Sequence, residues 1–237
     1  MPGDSVLRLS KVRKQYNALR PLRVNDLQIA RGERVAVSGL DAGAAEVLVN
    51  LVTGASVPDE GEVYVLGGST AAIADGDEWL ASLDRFGIVS PRAVLLDAAS
   101  LLQNLAMPLT LQIDPVPEAE AATTMSLARE VGIDEQWLER PIAGLPGAVK
   151  MRAHLVRAVV LGPALLILEH PTATLEKGEG GPFGEVVARV AAARNIATLI
   201  ISEDDEFSTA AATRRLALRA ASGELKPVGR GFLGFRF

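Results

Sequence analysis

The chain has 237 residues, 49% of them hydrophobic and 22% charged, with a formal net charge of −5. That size and composition predict a globular chain with one large core, or one core and a small lobe, and exclude a disordered polymer. No run of Lys or Arg exceeds a pair, which argues against a nucleic-acid groove, and the absence of cysteine removes disulfides, thiolate metal sites and thiol nucleophiles together.

Taken from the amino end, residues 1–10 carry no basic segment followed by an apolar one, so no signal peptide is expected. Strands are predicted over 5–10 and 23–29, followed by a strand–turn–helix unit with the strand over 33–38 and the helix over 44–54. A strand over 62–66, a helix over 76–84 and a strand over 86–90 come next. From Pro91 to about Gly147 the pattern becomes all-helical, with helices over 97–105 and 118–131, Pro115 and Pro117 marking the start of the second. The last third alternates again: helix 150–161, strand 164–169, helix 182–194, strand 197–202, a short helix over 205–212 and a strand over 215–219. Short apolar runs such as LLIL and TLII between helical patterns are what a buried parallel sheet requires. The most apolar stretch, 156–168, is broken by Arg157 and Pro163 and falls short of the ~18 residues a membrane span needs.

The most informative segment is GERVAVSGLDAGAAEVLVNLVTG, residues 32–54. It has the outline of a phosphate-binding loop, a strand, a small-residue turn and a helix. In the working pattern GxxxxGK[ST], main-chain N–H groups cradle the phosphates, lysine reaches the β/γ oxygens and a hydroxyl holds magnesium. Counting from Gly39, the lysine position is Ala45 and the hydroxyl position is Glu46, while Asp41, beside Gly43 in the turn, adds a further negative charge. Charge-assisted contacts contribute roughly 1.5–3 kcal/mol each. Losing the lysine and adding a repelling carboxylate is expected to leave MgATP binding weak or absent. Glu46 is expected to sit as a satisfied charge at the helix N-terminus, filling the anion site from within.

Further registers follow in order: VLRLSKVRKQY at the start, PDEGEVYVLGG (58–68), GIVSPRAVLLDAASLLQNLAMPL (87–109), LPGAVKMRAHLVRAVVLGPALLILEHPTATLE (145–176), TLIISEDDEF (198–207) and RRLALRAASGEL (214–225). Together they resemble the ATP-binding subunits of ABC transporters over nearly the whole chain. The resemblance implies an α/β fold: a P-loop NTPase-like parallel-sheet core with an antiparallel β subdomain and an α-helical lobe. It implies a single unit over 1–237, with the core in 1–90 and 148–237 and the helical lobe in 91–147.

The resemblance also assigns the nucleotide positions, and most of them are altered. Tyr16 stands where the family stacks an aromatic on adenine; the other reading is a partly buried core side chain. The two Walker B positions, an aspartate for magnesium and a glutamate for the attacking water, hold Glu169 and His170. Glu169 keeps its charge and is the one weak metal candidate; His170 is expected to be a structural or interface residue. The Q-loop glutamine falls on Pro91, which has neither a side-chain amide nor a backbone donor. In the signature loop, Leu145 and Gly147 are kept while Pro146 replaces the serine, Ala148 the second glycine and Val149 the glutamine. Glu203 replaces the histidine that faces the γ-phosphate, and Asp204 follows in the family's usual place. His154 is expected to be an ordinary packed or surface histidine. Phe232, Phe235 and Phe237 form an aromatic tail that either folds back onto the sheet or clamps a partner.

These substitutions imply a pseudo-ATPase with no intact catalytic residue and no cofactor expected, ATP and magnesium binding weakly if at all. The resemblance implies docking on a transmembrane ABC subunit near 91–110, pairing with an intact ATPase subunit or as a homodimer, and a place on the cytoplasmic face of the membrane. QNLAMPL looks most like lipid-, lipoprotein- or Mce-type systems. The alternatives are an active ATPase using Glu169, His170 and the loop N–H groups, and a soluble scaffold that reuses the fold.

Overall fold

The computed structural model describes residues 5–90 and 92–229. In chain order the elements are β1 (Ser5–Lys14), β2 (Leu22–Ala30), β3 (Arg34–Ser38), α1 (Ala42–Val52), β4 (Glu60–Val65), β5 (Gly68–Ser69), α2 (Gly76–Ser82), β6 (Phe86–Val89), α3 (Leu101–Ala106) and α4 (Glu118–Glu130). They continue with α5 (Gly147–Val159), β7 (Leu165–Glu169), α6 (Gly180–Ala193), β8 (Ala197–Ile201), α7 (Asp205–Ala211), β9 (Arg214–Arg219) and β10 (Glu224–Pro227).

The strands form two sheets. An antiparallel sheet has the order β2-β1-β4-β5, and a six-stranded sheet has the order β10-β9-β3-β8-β7-β6. In the second, β9, β3, β8, β7 and β6 run parallel and β10 closes the edge antiparallel to β9. The fold is the mixed α/β one that the sequence predicts. Every residue of β7 and β8 is buried, as a sheet covered on both faces demands. Side chains alternate between the two faces. Leu165, Ile167, Leu199 and Ile201 join a core shared with α1 and the antiparallel sheet, whereas Leu166, Leu168 and Ile200 join the core under α5 and α6. Fully burying one such Leu or Ile contributes about 1.5–3 kcal/mol, so the sheet is fixed from both sides.

Several boundaries move from their predicted places for local reasons. The first long helix begins at Ala42, two residues early, because Asp41 caps it. α5 begins at Gly147, three residues early, because Pro146, which has no N–H to satisfy, takes the N-cap place at φ −56°. α3 is shorter than 97–105; Ser100 and Gln103 close a capping box that starts it at Leu101. The 92–147 stretch holds α3, α4 and two short 3-10 turns (Glu135–Trp137 and Ile142–Gly144), with irregular backbone between them in place of the all-helical pattern. Pro117 is the N-cap of α4. The two-residue β5 was too short to predict. The apolar 156–168 stretch divides between α5 and β7, and no helix among the described residues is long and apolar enough to cross a membrane. Residues 91 and 230–237, with Pro91 and the aromatic tail, lie outside the described residues.

Candidate functional site

Strand order decides which residues meet. β3, β8, β7 and β6 are adjacent and parallel, so their carboxyl ends at Ser38, Ile201, Glu169 and Val89 line one edge of the sheet. In open α/β sheets the crevice outside those ends is where ligands bind. The chain places Gly39, Glu203, His170 and Ser90 there, one from each following loop.

Only Gly39, Leu40 and Asp41 separate β3 from α1. Gly39 has φ +88°, and a Cβ there would lie 2.5 Å from the Leu218 carbonyl oxygen, so this turn requires glycine. Its N–H donates to Oε1 of Glu203 at 2.6 Å. Asp41 accepts from the Ala44 N–H at 2.8 Å, which uses one of the free donors a helix N-terminus offers to an anion. Ala45 is fully buried. Glu46 is not at the helix N-terminus as expected: the first turn of α1 holds no acidic residue, and the capping carboxylate is that of Asp41.

Glu46 turns instead toward Arg92, whose Nη1 lies 2.8 Å from its Oε1. The same guanidinium reaches Oε2 of Glu169 through Nη2 at 2.8 Å and Nε at 3.3 Å. Glu169 ends β7 and is only 3% exposed. The Ser90 hydroxyl donates to that same oxygen at 2.7 Å and accepts from the Arg92 N–H at 3.2 Å. An unpaired carboxylate at this depth would be strongly destabilising. Here a cation and a hydroxyl satisfy it. The positions that the pattern reserves for a metal-binding hydroxyl and carboxylate are thus joined by a side chain of the protein itself.

His170 follows with φ +42°, a left-handed conformation that non-glycine residues adopt at a cost of about 1–3 kcal/mol. Its N–H donates to the Ile201 carbonyl at 2.8 Å, which holds the turn against β8, and its Nε2 is buried without a partner among the described residues. Asp204 caps α7 by accepting from the Phe207 N–H at 2.9 Å.

The family model described as ABC transporter matches residues 22–173. The chain belongs to the ABC transporter family. It is 29% identical over 178 residues to the lipoprotein-releasing system ATP-binding protein LolD of Pseudomonas fluorescens, covering 75% of this chain and 78% of that one. It is 31% identical over 179 residues to LolD of Chromohalobacter salexigens, covering 76% and 75%. Among solved structures it resembles the dimeric bacterial ABC transporter cassette MJ0796, with a TM-score of 0.77 at 20% identity over 95% of this chain and 100% of that one. It also resembles cbiO1 from Clostridium perfringens, part of the ABC transporter complex cbiONQ, with a TM-score of 0.76 at 21% identity over 90% and 84%.

The structure also places the residues that the sequence singles out around Gly147 and at Tyr16. In the signature loop Leu145 is buried, Pro146 offers no side-chain cap, and a Cβ on Gly147 would lie 2.8 Å from the Thr174 carbonyl oxygen. A glycine is needed at 147 by the close approach of the 172–175 turn. Tyr16 is half-buried, with Cε2 3.4 Å from where a Cβ of Gly43 would be. With Leu19, Arg20, Arg23, Asp41 and Leu218 it lines a cavity of 430 Å³. Burial, and then the Asp41 charge, push its hydroxyl above the ordinary tyrosine range. His154 is half-buried in α5, where burial and the Arg157 charge hold its pKa below the usual value.

The sequence reading missed Arg92. The signal was present: the carboxylate introduced at Glu46 and the one kept at Glu169 call for a cation, and Arg92 is the basic residue of the GIVSPRAVLL segment that includes β6.

Proposed function

We propose that this ABC transporter subunit is a pseudo-ATPase that serves a structural or regulatory role beside membrane subunits and binds MgATP weakly or not at all. The observation that carries the reading is the Gly39–Glu203 bond. A donor that the phosphate-binding pattern turns toward a polyanion is committed to a carboxylate of the chain, and Asp41 takes a second. Ala45 supplies no cation, and the hydroxyl and carboxylate positions for magnesium are carboxylates already paired with Arg92. The residues present therefore do not fit a tightly held triphosphate with its metal.

The similarity to LolD favours a lipoprotein- or lipid-handling system, on the cytoplasmic face of the membrane, with docking on a transmembrane subunit through the 91–110 segment. The 91–147 stretch would act as the helical lobe that carries that segment. An intact ATPase chain is the partner this reading requires if the assembly hydrolyses ATP, since a homodimer would pair altered motifs with altered motifs.

One observation favours the second reading, an active ATPase: the Nε2 of His170, next to Glu169 in the chain, has no hydrogen-bond partner among the described residues. Isothermal titration of the purified chain with MgATP separates the two. No saturable heat up to about 1 mM is expected. Micromolar binding, with turnover that collapses on Glu169→Ala or His170→Ala, overturns the pseudo-ATPase reading.

A further inference from the structure

We infer that Arg92 is a built-in cation that straps the 92–100 loop to α1 and to the tip of β7, so that the loop holds one position without any ligand. The described residues between β6 and α3 contain no helix and no run of strand, and a connection of that kind is ordinarily among the more mobile parts of a fold. This one is held at both ends. Asn104, fully buried in α3, accepts from the Leu96 N–H at 2.7 Å and donates to the carbonyls of Leu96 and Ser100 at 3.1 and 2.9 Å. Arg157 of α5 donates to the Val94 carbonyl at 2.8 Å.

Those bonds tie the loop to helices only. Ser90 joins the start of the loop to Glu169, and the Arg92 side chain adds a second link to Glu169 and reaches the phosphate-loop helix, with Glu46 on one edge of its guanidinium and Glu169 on the other. Val94 and Leu96, held through their backbone, are themselves 72% and 48% exposed. The strap therefore fixes where an apolar surface stands relative to the sheet.

A planar fork is what the arrangement needs. Two carboxylates from different elements approach separate edges of one group, which a guanidinium can bridge and a single ammonium cannot reproduce in the same geometry. The loop's indifference to nucleotide rests on the pseudo-ATPase reading; its dependence on Arg92 does not.

Hydrogen–deuterium exchange of the full chain tests this, read at residues 92–96 and at β8. Arg92→Ala with Glu169→Gln removes the cation together with the charge it would leave buried, so the variant has no unpaired buried carboxylate to unfold it; Glu46, half exposed, is solvated without its partner. Exchange at 92–96 is expected to rise about tenfold or more, with β8 unchanged. Arg92→Lys is expected to lose part of the protection, and Glu46→Gln, at a half-exposed position, to give an intermediate result. Unchanged exchange at 92–96 in the double variant and in Arg92→Lys overturns the strap, as does an equal loss of protection in β8. Millimolar MgATP is expected to leave wild-type exchange at 92–96 unaltered. If it alters that exchange while the Arg92 dependence holds, the strap stands and the pseudo-ATPase reading falls.

Discussion

The Glu203 carboxylate lies 2.6 Å from the backbone nitrogen of Gly39, across the gap between the ends of β8 and β3. It occupies a main-chain donor that would otherwise be open to an anion, and it sets a negative charge where one would repel phosphate. A charge-assisted contact of this kind is worth about 1.5–3 kcal/mol, or roughly tenfold to a hundredfold in a binding constant. Glu203→Ala should therefore raise the affinity for inorganic tripolyphosphate or MgATP by that factor, measured by titration calorimetry. An unchanged affinity would show that the bond does not guard the turn.

Asp41 has a separable effect on the helix itself. Its side chain caps α1 through the Ala44 N–H. Asp41→Ala should lower unfolding stability by about 1 kcal/mol, and Asp41→Asn should retain most of it. Denaturant midpoints at equal slope are the measurement.

Two glycines are required by close approach of other backbone. A Cβ on Gly87 in β6 would lie 2.1 Å from the Ala158 carbonyl oxygen, and one on Gly184 in α6 would lie 2.7 Å from that of Phe207. Gly87→Ala and Gly184→Ala should each cost about 1–3 kcal/mol or more, because backbone on both sides must separate. Gly76, at the start of α2 with open space around it, is the control. Gly76→Ala should leave thermal stability equal or slightly raised.

Glu130, at the end of α4, accepts from both terminal nitrogens of Arg194 at 2.7 and 2.5 Å. Those hydrogen bonds hold its carboxyl below the usual carboxylate range, against a smaller opposing effect of burial. A depressed folded pKa contributes stability that is fully present above the unfolded value, about 4.3, and is lost as pH falls through the folded value. Glu130→Gln should lower stability at neutral pH by about 1 kcal/mol, since the pair is only partly removed from water, and should make the decline below about pH 4 shallower. Parallel pH–denaturation series of the two proteins would reveal it.

Much of the fold was legible because its signals are local. LLIL and TLII could only be buried strands between helical patterns, and they are β7 and β8. Helix starts were less legible, because Asp41 and Pro146 act through cap geometry that hydrophobic period does not register. The contents of the crevice were legible residue by residue and misread as a set. Glu46 is expected from its position as a satisfied charge at a helix N-terminus and Glu169 as a weak metal candidate, and neither reading includes the Arg92 guanidinium that joins them.

From the order of its motifs alone the chain determined its family and its sheet, since each follows from spacing along strands, turns and helices. The tertiary structure decided what the carboxylates of the crevice do. Glu46, Arg92 and Glu169 lie 46 and 77 residues apart in the pairs that matter, and only the side-by-side carboxyl ends of β6 and β7, packed against α1, bring one guanidinium within 2.8 Å of both acids. Charge balance in a buried site is a property of distance through space, and no linear pattern carries it.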